Sequence, residues 1–341
     1  MISIKTLDAS LAERYESFLL ARPETLLYQS WRYQNLLLDV LGCSQQSLVA
    51  LDEKNNVLAA LPLMAIDGPL GTVLNSLPFY GSNGAIIGEN CEARKALKVA
   101  YREILSTPDL AAATLIENPF LPGGADGLAY DFIDERIGQL TPLPLEGDLE
   151  AMLMLSFHKK TRNLIRKAHK LGDEVKVDND AMDFLVSVHE DNMRQIGGLA
   201  KPRRFFDALP RHFRPGQDYL LYVARLDGEK VAAVLVFFYN RTVEYYTPVV
   251  RKEYRDSQAL SAAIFRAMCD AAAHGYAWWN WGGTWLSQDS VYHFKSRWGT
   301  FDRPYKYFTS VHNPEILKAS RAELLSAYPS FFTVPFSALI Y

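Results

Sequence analysis

The chain has 341 residues, of which 49% are apolar and 22% are charged. This length exceeds the size at which a single hydrophobic core usually stops growing, so we expect two domains. The composition is that of a folded globular protein and excludes wholesale disorder. Cys43, Cys91 and Cys269 lie far apart, which excludes a zinc site built from cysteines and indicates a reducing compartment.

Two further features bear on location. The N-terminus lacks the basic start, apolar core and small-residue cleavage site of a secretory signal. No apolar stretch in the sequence is long enough to span a bilayer. We therefore predict a cytoplasmic protein, with the inner membrane face as an alternative location if its substrate is carried on a lipid.

Charge is distributed unevenly along the chain. Residues 1–150 contain 10 Lys+Arg and 20 Asp+Glu, a net charge of −10, whereas residues 151–341 contain 26 and 19, a net charge of +7. The basic second half is consistent with a polyanionic ligand such as a nucleotide or tRNA, or with an ordinary solvated surface.

The first half begins with amphipathic segments over 11–20 and 31–41. The runs SLVALD and VLAALPLM flank the polar turn EKNN and predict a β-hairpin. A helix is predicted over 92–105, followed by the strand-like run ATLIE. The Pro-rich segment 141–148 is typical of a linker, and we place the domain boundary there.

The second half repeats this order of elements. Helices are predicted over 157–171, 181–196 and 257–274, and YLLYVARLDGEKVAAVLVFFY predicts a second hairpin. TVEYYTPVV and AWWNW predict further strands, and alternation points Tyr245 and Tyr246 to opposite faces. We therefore predict an α/β (α+β) fold, with a duplicated pair of mixed, mostly antiparallel twisted sheets flanked by helices.

Four segments of the second half resemble a known family. They are HKKTRNLIRKAHK (158–170), DGEKVAAVLVFFYNRTVEYYTPVV (227–250), WGGT (281–284) and VYHFKSRWG (291–299). These segments resemble the Fem-type aminoacyl transferases and the related acetyltransferase-like domains of bacterial envelope-polysaccharide loci, both of which are variants of the GNAT fold. The resemblance is good over about 150–312 and only topological over 1–140.

The resemblance implies tandem GNAT-like domains, an acceptor-side domain at 1–145 and a donor-side, catalytic domain at 150–341. It also implies transfer of an acyl or aminoacyl group onto an amine of a cell-envelope sugar or peptidoglycan precursor. The acceptor would be a nucleotide- or lipid-linked sugar or peptide. The donor would be aminoacyl-tRNA, as in Fem enzymes, or acetyl-CoA or another acyl-CoA, as in ordinary GNAT enzymes, with no tightly bound cofactor.

Acyl transfer to an amine needs a polarised carbonyl and a group that moves a proton. Lys295 is the first catalytic candidate, because aromatic residues surround it in sequence and because it matches the lysine of the Fem signature. Tyr292 and Asp289 are the nearest candidates for general acid and base. Phe294 and Trp281 are candidates for the pocket wall.

The donor site is predicted at the segment before the helix over 257–274. Arg251, Lys252, Arg255 and Ser257 are positioned for an anion at the N-terminus of that helix. No glycine lies between Val249 and Gly275, unlike the glycine-containing loop by which GNAT enzymes hold the CoA pyrophosphate. This departure favours the Fem-like donor, or a CoA site made by side chains. Gly282 and Gly283, after a strand, would allow close approach of a ligand.

Acceptor contacts are predicted at three places. Arg162 and Arg166 are one helical turn apart and share a face that could grip a phosphate. Arg203 and Arg204 follow the Gly197-Gly198-Leu-Ala-Lys201 loop, which resembles the acceptor-side segment of the family. Tyr80 lies in the Gly-rich loop PFYGSNG of the first half.

Two other functions are compatible with the sequence. One is a CoA-dependent sugar N-acetyltransferase, and the other is a non-catalytic binder of RNA or an anionic glycan. The seven histidines show no metal-ligand spacing, so no metal site is predicted. The expected partners are the acceptor, tRNA as an alternative partner, and the membrane only peripherally.

Overall fold

The computed structural model describes residues 2–79 and 83–340, which form two compact units. The first unit combines 1–136 with 304–341, and the second spans 137–303. This division differs from the expected domains, 1–145 and 150–341, in two places. The boundary falls between residues 136 and 137, before the predicted linker 141–148, and residues 304–341 group with the first unit.

Strands and helices alternate along the chain, as the sequence predicts. The strands are β1 (Ser3–Thr6), β2 (Ser44–Gln45), β3 (Leu48–Leu51), β4 (Val57–Leu61), β5 (Met64–Gly68), β6 (Gly71–Asn75), β7 (Leu110–Ile116), β8 (Phe132–Pro142), β9 (Glu174–Val177), β10 (Tyr219–Leu226), β11 (Glu229–Tyr239), β12 (Thr242–Val250), β13 (Trp278–Trp285) and β14 (Phe301–Val311). The helices are α1 (Ala12–Leu20), α2 (Trp31–Leu41), α3 (Cys91–Leu105), α4 (Leu149–Ser156), α5 (Lys159–Lys170), α6 (Met182–Gln195), α7 (Arg203–His212), α8 (Ala259–Ala273), α9 (Asp289–Ser296) and α10 (Arg321–Ala327).

In the first unit, strands β2, β5, β6, β7 and β14 are hydrogen-bonded neighbours in that spatial order, and β1, β3 and β4 form a separate three-stranded sheet. The predicted hairpin is confirmed, because β3 and β4 pair antiparallel with Leu48 opposite Leu61. Strands β6 and β7 run parallel, so α3 connects them in the crossover that parallel strands require. Leu97 and Tyr101 of α3 pack in the core beside Leu115 of β7.

The C-terminal segment is fixed to the first unit by buried polar contacts. The Asn75 side chain is fully buried, and its Nδ2 donates to Phe332 O at 2.8 Å while its Oδ1 accepts from Phe332 N at 2.8 Å. The Tyr328 hydroxyl accepts from Leu70 N at 3.0 Å and donates to Gly71 O at 2.9 Å. Residues 328–332 are therefore tied to strand β6 and the turn before it.

In the second unit the strand order is β8, β13, β12, β11, β10, β9. Strands β9 to β12 form an antiparallel ladder, and β13 joins β12 in parallel after the crossover through α8. Helix α8 packs on the sheet with Ala263, Ile264, Ala267 and Met268 buried. The predicted α/β fold with mixed, mostly antiparallel sheets flanked by helices is confirmed.

One irregularity interrupts this ladder. Leu235 of β11 faces Thr247 of β12, but the next residue, Val236, faces Tyr245, so Tyr246 is the extra residue of a β-bulge. Bulges re-aim side chains and disturb the local hydrogen-bond ladder. Tyr245 packs against Trp279 and Trp281, whereas Tyr246 packs against Phe205 and Phe237, which confirms that the two tyrosines point to opposite faces.

Among the described residues, no helix is both long enough and apolar enough to cross a bilayer.

Replacing Asn75 by alanine should destabilise the first unit by about 2–3 kcal/mol, because two buried hydrogen bonds are lost and the Phe332 amide and carbonyl lose their partner. Urea unfolding of Asn75→Ala measures this change. Asn56→Ala, at the exposed turn between β3 and β4, is the control and should change stability by less than about 0.5 kcal/mol. Equal effects of the two substitutions would contradict the role of Asn75.

Candidate functional site

Strands β12 and β13 of the second unit pair at their first residues and then diverge. They pair in parallel at Thr242–Trp278, Val243–Trp279 and Glu244–Asn280. Strand β12 continues to Val250 and β13 to Trp285, but within the described residues no register pair joins them beyond Glu244 and Asn280. Backbone amides and carbonyls on unpaired strand edges need hydrogen-bond partners. The space between the diverging edges of β12 and β13, which we call the slot, is therefore suited to an extended ligand.

A buried polar pair lies at the base of this slot. Glu244 is fully buried, and its Oε2 accepts a hydrogen bond from Asn280 Nδ2 at 2.8 Å. Asn280 Oδ1 in turn accepts from Gly282 N at 2.9 Å, and Gly282 has a φ of 71° in the left-handed region. Burying a carboxyl group is costly even when one of its oxygens accepts a hydrogen bond, so buried carboxyl groups are frequent at functional sites. The pair therefore marks the point of divergence as a place of chemical interest.

Lys295 lies on the β13 side of the slot. Its Nζ donates to Thr284 Oγ1 at 2.9 Å, to Gly283 O at 3.2 Å and to Gly282 O at 3.3 Å. The side chain is 7% exposed, and burial lowers the pKa of its ammonium to about 8. The structure thus brings together three predicted residues, Lys295, Gly282 and Gly283.

A chain of hydrogen bonds fixes the position of Thr284. Its hydroxyl accepts from Lys295 and donates to Gln139 Oε1 at 3.2 Å, while Gln139 Nε2 donates to Tyr292 O at 3.3 Å. Gln139 and Thr284 are both fully buried. Helix α9, which carries Lys295, is therefore fastened to strands β8 and β13, so the ammonium has a fixed direction.

Trp281 and Phe294, the predicted pocket-wall residues, belong to an aromatic cluster of strand β13 and the segment that carries Lys295. Trp281 is buried and contacts Phe294 edge-to-face at 6.0 Å between ring centroids and Trp298 at 5.4 Å. Phe294 is partly exposed and is the member of this group that reaches solvent. Trp281 Nε1 donates to Thr141 Oγ1 at 2.9 Å, which satisfies its polar atom inside the core.

Lys201 lies on the β12 side, a position that the sequence did not single out. Its Nζ donates to the carbonyl of the bulged Tyr246 at 3.4 Å and lies 4.9 Å from the centre of the Tyr246 ring. Burial lowers the pKa of this ammonium to about 8 as well. The Lys201 amide donates to His189 Nε2 at 2.9 Å, and desolvation lowers the pKa of His189 to about 4, so this imidazole is neutral at pH 7.

The two lysines contact backbone carbonyls at corresponding positions of the two strands. Tyr246 and Gly282 each follow the last paired residue, Glu244 or Asn280, by two positions, and each offers its carbonyl to one of the buried ammonium groups. Two partly desolvated cations at the same level of the slot would attract negative charge that develops there. The signal for Lys201 in the sequence is weak, because it is one cation in a loop that also contains Arg203 and Arg204.

The other catalytic candidates stand apart from this group. Asp289 is exposed at the start of α9. The Tyr292 hydroxyl donates to Asp302 Oδ2 at 2.7 Å, and this hydrogen bond raises the pKa of Tyr292. Only the backbone carbonyl of Tyr292 takes part in the network around Lys295.

The predicted donor segment is largely occupied by its own contacts. Arg251 forms ion pairs with Glu229 at 3.4 Å and Glu253 at 2.8 Å. Arg255 Nη2 donates to Gln195 Oε1 at 3.1 Å, and Lys252 is exposed. Together with residues of α6, the segment lines a cavity of about 560 Å³ whose charges are mixed, with Asp191, Glu229 and Glu253 opposing Lys230, Arg251 and Lys252.

Two residues replace the missing glycine at the start of α8. Ser257 Oγ accepts from Ala259 N at 3.1 Å, and Gln258 adopts a φ of 67°, the left-handed conformation that glycine adopts most easily. The Gln258 carbonyl accepts from Ser261 N and Ala262 N. A phosphate at this helix end would have to displace the Ser257 hydroxyl from the Ala259 amide.

The predicted acceptor arginines also have local partners. Arg162 Nη1 donates to Phe157 O at 2.8 Å, whereas Arg166 Nη1 donates to Asn163 Oδ1 at 3.4 Å. The two guanidinium groups therefore contact different partners in this structure. Arg203 is paired with Asp183, and both Arg203 and Arg204 are exposed. Tyr80 lies outside the described residues.

Within residues 2–79 and 83–340, no group of three or more His, Cys, Asp or Glu side chains is placed to hold a metal ion.

Comparison with known proteins identifies the class of this fold. Residues 156–296 match the family model described as an acetyltransferase (GNAT) domain, a range that includes Lys201, Glu244, Asn280 and Lys295. The matched residues lie within the second unit, which is therefore similar to GNAT acetyltransferase domains. A search of curated proteins finds no match to the chain.

Solved structures extend the likeness to both halves. FemX is similar with a TM-score of 0.71 and 15% identity, over 92% of this chain and 98% of FemX. The C-terminal domain of a lysylphosphatidylglycerol synthetase from Agrobacterium fabrum has a TM-score of 0.57 and 14% identity, over 96% and 99%. A tandem GNAT protein from the clavulanic acid biosynthesis pathway has a TM-score of 0.52 and 11% identity, over 91% and 98%. At these identities the likeness shows the tandem GNAT fold alone.

Burial of Lys295 predicts a pH-dependent stability. The folded protein releases the Lys295 proton near pH 8, whereas the unfolded chain keeps it until the ordinary value of 10.5, so the unfolded state binds more protons in this interval. The free energy of unfolding of the wild type should therefore rise relative to that of Lys295→Met as the pH increases from 8 towards 10.5. Urea unfolding across this range measures the difference.

The exposed lysine Lys252 provides the matched control for this experiment. The pH profile of unfolding of Lys252→Met should run parallel to that of the wild type. If the profile of Lys295→Met also runs parallel to the wild type, the Lys295 ammonium is not desolvated in the folded protein.

Proposed function

We propose that the second unit transfers an acyl or aminoacyl group from an activated donor onto an amine of a bacterial cell-envelope sugar or peptidoglycan precursor. The observation that carries the proposal is the slot between β12 and β13, with a buried lysine on each side and Glu244 at its base. The GNAT family model over residues 156–296 supports acyl transfer, and the resemblance to Fem-type enzymes supports the envelope acceptor.

The reaction joins an amine nitrogen to the carbonyl carbon of the donor. As the carbon–nitrogen bond forms, the carbonyl electrons move to oxygen, and they return when the carbon–oxygen bond of an ester or the carbon–sulfur bond of a thioester breaks. The nitrogen loses one proton and the leaving group gains one, so the reaction needs no oxidant or reductant. The protein has to align the two reactants, stabilise the oxyanion and guide the proton.

In this proposal the donor lies in the slot as an extended segment, bonded to the unpaired edges of β12 and β13. Lys295 stabilises the oxyanion through its charge, because Thr284 and two carbonyls accept from its three N–H groups and hold the ammonium in a largely desolvated place where charge acts strongly. Lys201 holds the bulged Tyr246 carbonyl and so shapes the opposite edge of the slot.

Glu244 is proposed as the group that receives the amine proton. It is the carboxylate at the base of the slot, and Asn280 holds one of its oxygens at 2.8 Å. Because the side chain is fully buried, the proton would reach it through a water molecule in the slot. The sequence-based candidates Asp289 and Tyr292 are less suited to this step, since Asp289 is exposed and the Tyr292 hydroxyl is engaged by Asp302.

The start of α8 favours aminoacyl-tRNA as the donor. A CoA pyrophosphate at this helix end would compete with the Ser257 hydroxyl for the Ala259 amide, and Arg251 is already shared between two glutamates. Neither feature hinders a donor that enters the slot from its open end. The fold shared with FemX is compatible with this choice.

Acetyl-CoA is the second candidate donor. The family model is described as an acetyltransferase domain, and Lys252 and Arg255 lie beside the start of α8, where a phosphate would meet favourable charge. With this donor the protein would be a CoA-dependent sugar N-acetyltransferase.

Calorimetric titration separates the donors. We expect no saturable binding of acetyl-CoA, and binding of charged tRNA that weakens steeply with salt. Saturable acetyl-CoA binding that Arg255→Ala weakens would instead assign the CoA donor. If neither donor binds, the result would contradict transferase activity, and binding of an anionic glycan would be the remaining function.

Transfer assays with the functioning donor test the catalytic assignment. Glu244→Gln should lower kcat about a hundredfold, because the isosteric amide keeps the shape but cannot accept the proton. Lys295→Met should lower kcat by about 10²–10³-fold through loss of oxyanion stabilisation. Asp289→Asn is the matched control and should keep nearly full activity. Loss of activity in Asp289→Asn but not in Glu244→Gln would contradict the assignment.

A further inference from the structure

Helix α4 of the second unit exposes large apolar side chains to solvent, although their burial would stabilise the fold. Leu153 is buried under the helix, but Leu155 is 79% exposed and Met152 is 49% exposed. The sequence of the helix, LEAMLMLS, contains one charged residue, Glu150. Two large apolar side chains on the outer side of so short a helix are unlike an ordinary solvated surface.

Helix α5 follows directly and carries six cations and no acidic residue, in the sequence KKTRNLIRKAHK. Thr161, Ile165 and Ala168 form its buried stripe. Lys159, Arg166 and Lys170 are spaced by seven and four residues, so they share the face opposite that stripe and point to solvent. Among the described residues, none of these three cations forms an ion pair with a carboxylate.

Hydrogen bonds from one arginine of α5 join the two helices. Arg162, whose side chain is only partly exposed, donates from Nη1 to Phe157 O at 2.8 Å and to Leu155 O at 3.5 Å. The end of α4, including Leu155, is thereby tied to the first turn of α5. Leu155 therefore lies next to the start of the cationic helix, and we call the solvent-exposed sides of the two helices the α4–α5 surface.

We propose that the α4–α5 surface docks onto an anionic lipid bilayer, with Leu155 and Met152 inserted among the acyl chains and the cations of α5 at the headgroups. Basic helices next to exposed aliphatic side chains bind membrane interfaces through both contributions. A surface built for RNA would interleave its cations with aromatic rings for base stacking, whereas the large exposed side chains here are aliphatic. The proposal does not depend on the transferase reaction.

Vesicle flotation tests the proposal with the intact protein. We expect the wild type to float with vesicles of phosphatidylcholine mixed with phosphatidylglycerol, much more weakly with phosphatidylcholine alone, and less at high salt. The variant K159Q/R166Q/K170Q should bind anionic vesicles roughly a hundredfold more weakly, because each cation near such a surface contributes about fivefold. Leu155→Ser should weaken binding about tenfold, because the contribution of the leucine side chain is apolar. This weakening should remain at low salt, where the attraction of the cations is strongest.

Two control variants show whether a loss of vesicle binding is specific to the α4–α5 surface. K5Q/R14Q/K54Q removes the same number and kinds of exposed cations from the first unit, and Ile196→Ser removes an exposed aliphatic side chain elsewhere in the second unit. Both controls should float like the wild type. Failure of the wild type to float, or equal loss in test and control variants, would overturn the proposal. Tight binding of tRNA that K159Q/R166Q/K170Q abolishes and Leu155→Ser leaves intact, without flotation, would assign the surface to nucleic acid instead.

Discussion

The loss of pairing between two parallel strands is the constraint on which the candidate site depends. In an unbroken sheet the backbone groups of β12 and β13 would satisfy one another, and no ligand could enter. Pairing stops at Glu244 and Asn280, and the bulge at Tyr246 interrupts the neighbouring β11–β12 ladder. Glu244 and Asn280 lie at this break, and Lys201 and Lys295 contact carbonyls that follow it on the two strands.

The charges around the slot follow from the same break. Lys295 and Lys201 are each held by strand carbonyls that lie past the last paired residues, and burial lowers the pKa of both ammonium groups to about 8. Desolvated cations are costly for folding, so their retention at matched positions fits a site that stabilises negative charge during reaction. The Gln139–Thr284 hydrogen bond adds rigidity on the β13 side.

The sequence predicts the features that depend on residues close together along the chain. Hairpins, α8 and the opposite directions of Tyr245 and Tyr246 follow from periodicity, and Lys295 was indicated by the aromatic residues beside it and by the family signature. Glu244 and Lys201 were not identified, because their partners Asn280 and Tyr246 lie 36 and 45 residues away along the chain. Arg162 and Arg203 are predicted to contact the acceptor, and in the structure Arg162 donates to a carbonyl while Arg203 pairs with a nearby aspartate. The return of residues 304–341 to the first unit likewise rests on distant contacts such as that of Asn75 with Phe332.

Hydrogen–deuterium exchange with and without the donor tests most directly whether the slot is the donor site. The account predicts that a bound aminoacyl-tRNA slows exchange at amides after Glu244 on β12 and after Asn280 on β13 together, because one extended ligand bonds to both edges. Protection confined to the segment 251–258 and the first turn of α8, with the two strand edges unchanged, would contradict it.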